Sequence, residues 1–339
     1  MKKSIKRSDF FRFYAYLCHV IEDLARLNMD IIDVTIRESV YMKHRMTEAK
    51  ALVYLREYVN LMPFKNVRDV EICFLDNHKQ DTLLYNEAYI KGCYEIVKGK
   101  FGLIAVLHPD LVDMSKWNPD VIKLFHTVRF MINKPVDAHT EDIIDYLHAL
   151  GVEVAINVIY ISRKEEQFVL DCLAVAEKHK AEHFCLADSC GGCTPSIIRK
   201  WVDFLRERNK TLSLNFHFHD HMRLALANAT VCFDDVDNID ASVYGLGKGG
   251  GNLNLEAVIF AERKTKAIDV TQEEVMNYAK LLKFLMKDIL EDDWEAALEN
   301  YKNMLIGVYD CNLKEIAAME KKAAGDVMRF FELISAKES

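Results

Sequence analysis

Two histidines, His217 and His219, lie two residues apart in a stretch whose pattern predicts a β-strand. In the run 212–220, LSLNFHFHD, polar and apolar residues alternate strictly, which is typical of a half-buried strand. Side chains two residues apart on a strand project from the same face, roughly 7 Å apart at their α carbons. Two such imidazoles can bind one metal ion, so the run predicts half of a metal site.

A glycine-rich run, GLGKGGGN, follows at 245–252 and ends in Asn252. By itself a glycine run is weak evidence for a phosphate site, and a plain flexible loop is the competing interpretation. Lys248 within the run either contacts a substrate carboxylate or phosphate or faces solvent. The function of the run therefore depends on the elements that surround it.

The composition argues against several classes of protein. Half of the 339 residues are hydrophobic and 28% are charged, so we expect a sizeable folded core. The net charge is −8 and no basic run is long enough to follow a phosphate backbone, which argues against a nucleic-acid partner. No apolar run reaches membrane-spanning length. The first 28 residues lack the pattern of a secretory signal, and nine cysteines without one predict free thiols in a cytoplasmic protein.

Strand-like and helix-like segments alternate along most of the chain. Eight such units in roughly 240 residues predict an α/β fold, the TIM (β/α)8 barrel, rather than an open sheet. We predict an N-terminal helix at 1–28, the barrel at 29–265 and a small helical C-terminal domain at 266–339. The C-terminal domain begins with TQEE, which has the form of a helix capping box. The predicted strands are 30–38, 67–75, 101–108, 128–133, 152–162, 183–189, 212–219 and 239–245.

Barrel enzymes build their sites at the C-terminal ends of the strands. Two imidazoles and one carboxylate there form a good ligand set for a divalent metal, which leaves zinc, manganese, iron and magnesium open. A guanidinium held beside the metal would stabilise an oxyanion, the charge that develops in an enolate. The polar residues at the predicted strand ends are Arg37, Glu38, Glu71, Asn157, Asp188, Ser189, His217, His219 and, after strand eight, Asn252.

Several of these runs resemble the motifs of one family, the DRE-TIM metallolyases. The run DVTIRE at 33–38 resembles the strand-one motif of that family, commonly DxTLRDG. HFHD at 217–220 resembles its strand-seven HxH segment, and the glycine run at 245–252 with Glu256 resembles its strand-eight loop. Because the motifs occur in the family's order, together they are far more specific than any one of them alone.

Two further positions extend the resemblance. Glu71 stands where the family has a strand-two glutamate, and ADS at 187–189 resembles a strand-six motif of its aldolase branch. The resemblance therefore covers about 30–259, nearly the whole predicted barrel. The family includes hydroxymethylglutaryl-CoA lyases, isopropylmalate and homocitrate synthases, and 4-hydroxy-2-oxovalerate aldolases. Its members make or break a carbon–carbon bond beside a metal-chelated carbonyl group.

The resemblance implies a role for each matched residue. Arg37 would stabilise the enolate, and the metal would be bound by Glu38, His217 and His219. Asn252 would line or ligate the site, and the glycine loop would act as a mobile lid. The implied cofactor is a divalent metal, with Mn²⁺ favoured over Mg²⁺, Co²⁺ and Zn²⁺.

Three departures from the family pattern bear on the activity. Glu38 replaces the usual aspartate, as in the homocitrate synthases, which keeps metal binding plausible. Ser39 replaces a glycine, and Tyr41 stands where the hydroxyoxovalerate aldolases carry a histidine proposed as base. Either Tyr41 or a metal-polarised water would then be the base. The glycine loop contains no cysteine, unlike that of the CoA-ester lyases, so the aldolase branch fits best.

We therefore predict a divalent-metal-dependent aldolase that acts on a 2-oxo acid and an aldehyde, in a homodimer or higher homo-oligomer. The catalytic candidates are Arg37, Tyr41 and Glu71, with Glu71 preferred as a structural partner of Arg37. Arg37, Ser189 and Asn157 are the candidates for substrate binding, although Asn157 is equally explained by packing inside the barrel. The competing hypotheses are an acyl-CoA condensing synthase of the same family and a catalytically weakened barrel that serves as a binding subunit.

Cys190 and Cys193 form a CxxC pair at the predicted rim of the site. A zinc knuckle normally needs a second such pair, and none is suitably spaced. We therefore interpret the pair as part of a turn rather than as a redox or metal motif.

Overall fold

The computed structural model describes residues 29–76 and 82–336. The predicted N-terminal helix at 1–28 lies outside the described residues. Among the residues described, no helix is long and apolar enough to cross a membrane.

Eight parallel strands form a closed barrel in which each strand pairs with its neighbour in sequence. The last strand pairs with the first, with Ile31 beside Ile239, and this pairing closes the barrel. The predicted TIM barrel is thereby confirmed. The strands are β1 (Asp30–Asp33), β2 (Val67–Phe74), β3 (Gly102–Leu107), β4 (Thr127–Ile132), β5 (Glu153–Ile159), β6 (His183–Asp188), β7 (Ser213–Phe218) and β8 (Asn238–Ala241).

Helices cover the outside of the barrel, and local signals in the sequence begin several of them. Asp137 accepts a hydrogen bond from the Thr140 amide at 2.8 Å, and Pro195 occupies the first turn of its helix, where no amide donor is needed. The helices between β1 and the end of the barrel are α1 (Thr35–Glu38), which lies at the mouth, and α2 (Glu48–Leu61), α3 (Glu87–Val97), α4 (Pro119–Ile122), α5 (Ala138–Ala149), α6 (Glu166–His179), α7 (Pro195–Arg208), α8 (Ala225–Thr230) and α9 (Leu255–Lys266).

The C-terminal region is helical, as the sequence predicts. Its first helix continues into a π-helical turn at Leu285–Ile289 and packs against α2 on the outside of the barrel. The buried ring of Tyr278 joins the two parts, with centroids 5.2 Å from Phe64 and 5.4 Å from Tyr301. The helices are α10 (Gln272–Phe284), α11 (Trp294–Val308), α12 (Leu313–Ala323) and α13 (Val327–Ser335).

The apolar core of the barrel lies mainly between the sheet and the helices. Inside the barrel a separate apolar cluster consists of Ile32, Val34 and Ile104. Above it the interior is polar, because charged and amide side chains project inward from several strands. These buried side chains are Glu71, Arg129, Asn157, Asn215, His217 and Asp240. The strands therefore hold a set of charged groups out of water at the level where a site would form.

The predicted strand at 30–38 is wrong in its second half. β1 ends at Asp33, whose carboxylate accepts a hydrogen bond from the Thr35 amide at 2.7 Å and so turns the chain into α1. Arg37 and Glu38 consequently lie on a helical turn above the strand, where both side chains are buried. The predicted strand 239–245 likewise ends early, at Ala241.

The capping box at the start of α10 provides a test of the C-terminal region. The Thr271 hydroxyl accepts from the Glu274 amide, and the Glu274 carboxylate accepts from the Thr271 amide. Thr271→Ala removes one of these bonds, so we expect the free energy of unfolding to fall by about 1 kcal/mol. Urea denaturation measures the change. Lys280→Ala, on the exposed face of the same helix, is the control, and an equal effect of both substitutions would contradict the role of the cap.

Candidate metal centre

Glu38, His217 and His219 converge at the C-terminal mouth of the barrel. Each offers one ligand atom, and these atoms lie within 4.8 Å of one another. The carboxylate comes from α1, and the two imidazoles come from the end of β7 and the residue after it. The centroids of the two imidazole rings are 5.0 Å apart. The side chains that the sequence singled out as ligands are thus brought together by the closure of the barrel.

Three buried atoms at this point have no hydrogen-bond partner among the described residues. They are Oε2 of Glu38, Nδ1 of His219 and Oδ1 of Asn252. Asn252 is held against this site because its backbone pairs with His219 and its Nδ2 donates to the Leu246 carbonyl at 3.0 Å. Leaving such atoms unsatisfied is unfavourable, whereas a divalent cation would satisfy oxygen and imidazole donors together. The donor set therefore fits a divalent metal.

The ionisation states at the site are the ones that metal binding requires. Burial alone would raise the pKa of Glu38, but Arg37 together with the two histidines outweighs burial and lowers that pKa. Burial and the neighbouring His217 lower the pKa of His219 to about 3. At neutral pH the carboxylate is therefore charged and His219 is neutral, so neither proton has to be displaced before a metal binds.

Asp240 on β8 orients His217. Its Oδ2 lies 2.9 Å from Nδ1 of His217, and its Oδ1 accepts from Nδ2 of Asn215 at 2.9 Å. With Nδ1 engaged in this way, His217 presents Nε2 as its ligand atom, an arrangement common around bound metals. Arg129 completes the group with Nη1 2.7 Å from Oδ2 of Asp240. Burial would raise the pKa of Asp240, but Arg129 and His217 outweigh burial and hold it well below its usual range.

Sequence reasoning missed both Asp240 and Arg129, although each left a signal. Arg129 is the one charge in the otherwise apolar run TVRFMI of β4, and Asp240 interrupts the short strand NIDA of β8. Charges are rarely buried unless they are paired, so a lone charge in a buried strand indicates a buried partner. The strand pairing that brings the two together is decided by the closed barrel.

Arg37 is held rigidly beside the metal ligands. Its Nε and Nη2 donate to Oε2 of Glu71 at 3.2 and 2.9 Å, and its Nη1 donates to Glu38. Burial would lower the pKa of Arg37, but Glu38 and Glu71 outweigh it and raise the pKa, so the guanidinium stays charged. From the sequence, Glu71 was preferred as a structural partner of Arg37, and the structure shows the two side chains in contact. A direct catalytic role for Glu71 stays a prediction.

Tyr41 ends a short 3-10 turn, Ser39–Tyr41, that follows α1. Burial raises the pKa of its phenol, whereas the Arg37 charge lowers it. The negative charges of Glu38, Glu71 and Asp76 raise the pKa further. A phenol of raised pKa stays protonated at neutral pH. It can therefore donate a hydrogen bond or a proton, but it is poorly suited to the role of base that the sequence left open for it.

The two remaining candidates for substrate binding lie on neighbouring strands. The Ser189 hydroxyl accepts from the Tyr160 amide at 3.1 Å, which links the end of β5 to the end of β6. Asn157 faces the interior of the barrel beside Cys185, and its Nδ2 lies 3.2 Å from the Met131 sulfur. Its Oδ1 has no hydrogen-bond partner among the described residues. Substrate binding by either residue stays a prediction.

The CxxC segment forms a turn that Asp188 caps. The Asp188 carboxylate accepts from the amides of Gly192 at 3.0 Å and Cys193 at 2.8 Å. Cys193 is buried, and burial raises the pKa of its thiol to about 12, which makes it unreactive. These contacts support the interpretation of the segment as a turn.

The glycine loop packs closely over the end of β7. A Cβ added at Gly249 would lie 2.4 Å from Nε2 of His221, and one at Gly250 would lie 2.6 Å from its Cα. Gly251 has a φ of +91°, which a residue with a side chain rarely adopts. The glycines therefore allow the loop to approach the metal ligands, and His221, which sequence reasoning did not single out, is the residue they approach. That the loop opens as a lid stays a prediction.

Comparisons with known proteins agree with this fold. Residues 124–284 match the HMGL-like family model. The N-terminal domain of a protein assigned as an aldolase, from Bacteroides vulgatus, is similar with a TM-score of 0.65 and 21% identity, covering 80% of this chain and 96% of that one. No match is found among curated proteins.

Two other solved structures share the fold at lower identity. The hydroxymethylglutaryl-CoA lyase from Pseudomonas aeruginosa has a TM-score of 0.61 and 13% identity, covering 75% of this chain and 92% of that chain. The carboxyl transferase domain of Rhizobium etli pyruvate carboxylase has a TM-score of 0.61 and 15% identity, covering 93% of this chain and 56% of that one. These neighbours share the barrel fold with this chain, and the family model matches its residues 124–284.

The contact between Asp240 and His217 predicts a change in metal affinity. Asp240→Asn keeps the shape but removes the charge that fixes the imidazole, so we expect the dissociation constant for Mn²⁺ or Co²⁺ to rise by about 10- to 100-fold. Titration calorimetry with the metal alone measures it. The control is Asp234→Asn, an exposed carboxylate near the start of the same strand. A change of less than about twofold in D240N would contradict the role of Asp240.

The lowered pKa of His219 predicts a dependence of stability on pH. Between about 3 and the ordinary histidine value of about 6.5 the unfolded chain binds more protons at this residue than the fold does, so stability rises with pH. We expect the metal-free protein to gain stability relative to His219→Gln across that window, by up to about 1.4 kcal/mol per pH unit. Urea unfolding at several pH values measures this, with the exposed His139→Gln as the control. Parallel curves for H219Q and the unchanged protein would rule the effect out.

Proposed function

We propose that this protein is a divalent-metal-dependent aldolase that makes or breaks a carbon–carbon bond beside the keto group of a 2-oxo acid. The observation that carries the proposal is the convergence of Glu38, His217 and His219 at a buried site directly beside the Arg37 guanidinium. The match of residues 124–284 to the HMGL-like family model supports a lyase. The motifs that resemble the aldolase branch favour a 4-hydroxy-2-oxo acid as substrate.

The charges around the site favour an anionic substrate bound together with a cation. Arg37 and Arg129 contribute two positive charges, and Glu38, Glu71 and Asp240 contribute three negative ones, so the cluster has a net charge of −1. A divalent cation would make it +1, which suits a substrate that arrives as a carboxylate. When bound, the cation would act as a Lewis acid on the keto and carboxylate oxygens. We propose Mn²⁺ as that cation.

Arg37 is the residue that would hold the enolate oxygen. A guanidinium has five N–H bonds, and three of those of Arg37 are used by Glu71 and Glu38, which leaves two among the described contacts. Because both carboxylates hold the side chain in place, these donors need no reorganisation when charge develops on the enolate. Tyr41, kept protonated by its raised pKa, can donate a further hydrogen bond or proton at the same site.

Hydrogen exchange at pyruvate C3 in heavy water tests this proposal, because it needs no knowledge of the aldehyde. We expect exchange that depends on added Mn²⁺, Mg²⁺, Co²⁺ or Zn²⁺, followed by NMR. His217→Ala should lose exchange by more than about 100-fold, since an imidazole ligand is removed. His139→Gln, an exposed histidine, is the control. Absence of exchange with every metal would contradict the pyruvate-enolate form of the proposal.

Two other functions give different outcomes in the same preparation. An acyl-CoA condensing synthase is favoured by Glu38, since homocitrate synthases resemble this chain there. It would release free thiol from acetyl-CoA in the presence of a 2-oxo acid. A barrel that has become a binding subunit would contain no stoichiometric metal, and elemental analysis of the purified protein would show this.

A further inference from the structure

A cleft of about 300 Å³ lies at the C-terminal ends of β3, β4 and β5. Met131 and Ile159 line the part that belongs to the strands, Tyr160 follows β5, and His108 lies where β3 ends. Pro109, Pro135 and Val136 are among the residues that extend the wall outward. The cleft is small compared with most ligand sites, and its wall is largely apolar.

His108 forms a dyad with Asp76 at this cleft. Nδ1 of His108 and the buried Oδ2 of Asp76 are 2.9 Å apart, and the His108 amide donates to the same oxygen. The Asp76 side chain is completely buried, whereas the imidazole is 29% exposed. Both residues lie two positions beyond Phe74 and Val106, which pair across β2 and β3. A buried carboxylate thus orients an imidazole that solvent and ligands can reach.

One aromatic ring links this dyad to the proposed enolate site. The His108 ring stacks on Phe74 with centroids 6.2 Å apart, and Cζ of Arg37 lies 5.8 Å from the centroid of the same ring. The charge of Asp76 also acts on Tyr41. One aromatic ring thus separates the dyad at the cleft from the guanidinium that would hold the enolate.

We propose that His108, oriented by Asp76, carries the proton of the hydroxyl group next to the bond that is cleaved, and that the cleft holds the aldehyde portion of the substrate. The inference rests on the proposed function and assigns a base that neither Tyr41 nor the metal ligands provide. An imidazole held by a carboxylate is a common form of general base.

In the cleavage direction, His108 takes the proton of the C4 hydroxyl, and the O–H electron pair forms the C=O bond of the aldehyde. The C3–C4 bond breaks, and its electron pair passes into the enolate beside Arg37. A proton from water then adds at C3 to give the 2-oxo acid, and His108 returns its proton to water. The addition reaction is the reverse of these transfers.

The cleft also restricts the aldehyde. Its volume is small and its wall is largely apolar, which suits a short aliphatic chain. Two cations near it already have partners, since Lys134 pairs with Asp110 and Lys164 donates to the Asn133 carbonyl at 2.7 Å. A phosphorylated aldehyde would compete with these contacts, so the cleft assigns a short, uncharged aldehyde.

The test separates the step at the aldehyde from enolate formation. With 4-hydroxy-2-oxopentanoate, the adduct of pyruvate and acetaldehyde, His108→Gln should slow cleavage by about 10²- to 10⁴-fold, the usual contribution of a general base. Exchange at pyruvate C3 should stay within about threefold of the unchanged protein, because it does not involve the C4 hydroxyl. Asp76→Asn should lower kcat for cleavage and leave the KM for the adduct and the C3 exchange unchanged.

His126→Gln is the matched control, because His126 also pairs with an aspartate, Asp69, at 3.0 Å but at the opposite end of the barrel. It should change neither reaction. Cleavage by H108Q at the unchanged rate, or an equal loss of cleavage and exchange, would overturn the assignment of His108. If the unchanged protein exchanges the C3 hydrogens of pyruvate but does not condense pyruvate with acetaldehyde, propanal or butanal, the assignment of a short aldehyde is wrong. Absence of exchange in the unchanged protein would instead contradict the proposed function itself.

Discussion

The ion pair between Arg129 and Asp240 is the interaction on which the site depends. Both side chains are almost completely buried inside the barrel, with Nη1 and Oδ2 2.7 Å apart. A buried ion pair is weak evidence for stability, since apolar residues of similar volume often do as well, whereas loss of one partner costs several kcal/mol. Its clearest consequence here is positional. Asp240 fixes the imidazole of His217, and Arg129 keeps Asp240 charged, so a ligand atom points to the mouth of the barrel.

A second charged group, Arg37 with Glu38 and Glu71, meets the first at the same level. Glu38 is shared between two roles, because it pairs with Arg37 and also supplies a ligand atom beside the two histidines. The candidate metal site and the guanidinium are consequently held next to each other by one side chain. Glutamate at this position has one methylene more than the aspartate common in the metallolyases that the sequence resembles. The helical turn of α1 accommodates it with the side chain buried.

The two ends of the barrel contain similar groups in different settings. At the C-terminal mouth Asp76 is buried and orients His108 beside the Phe74 ring that Arg37 also contacts. At the N-terminal mouth Asp69 and His126 form a similar pair whose imidazole is half exposed. The residue types are the same, so neighbours decide the difference. Among the described residues, only the first pair is linked through one aromatic ring to the Arg37 guanidinium.

The sequence by itself determined the barrel, the HxH strand and the glycine loop, because alternation with a period of two and turn residues are local properties. It also identified Glu38, His217 and His219 as candidate metal ligands, because their motifs occur in the expected order along the chain. The end of β1 at Asp33 was not predicted, because a side-chain hydrogen bond to Thr35 stops the strand against its β-branched pattern. Arg129, Asp240 and the dyad of Asp76 and His108 were decided only by the tertiary structure. Their chemistry arises from pairing between residues far apart in the chain, and burial keeps water away from Arg129, Asp240 and Asp76.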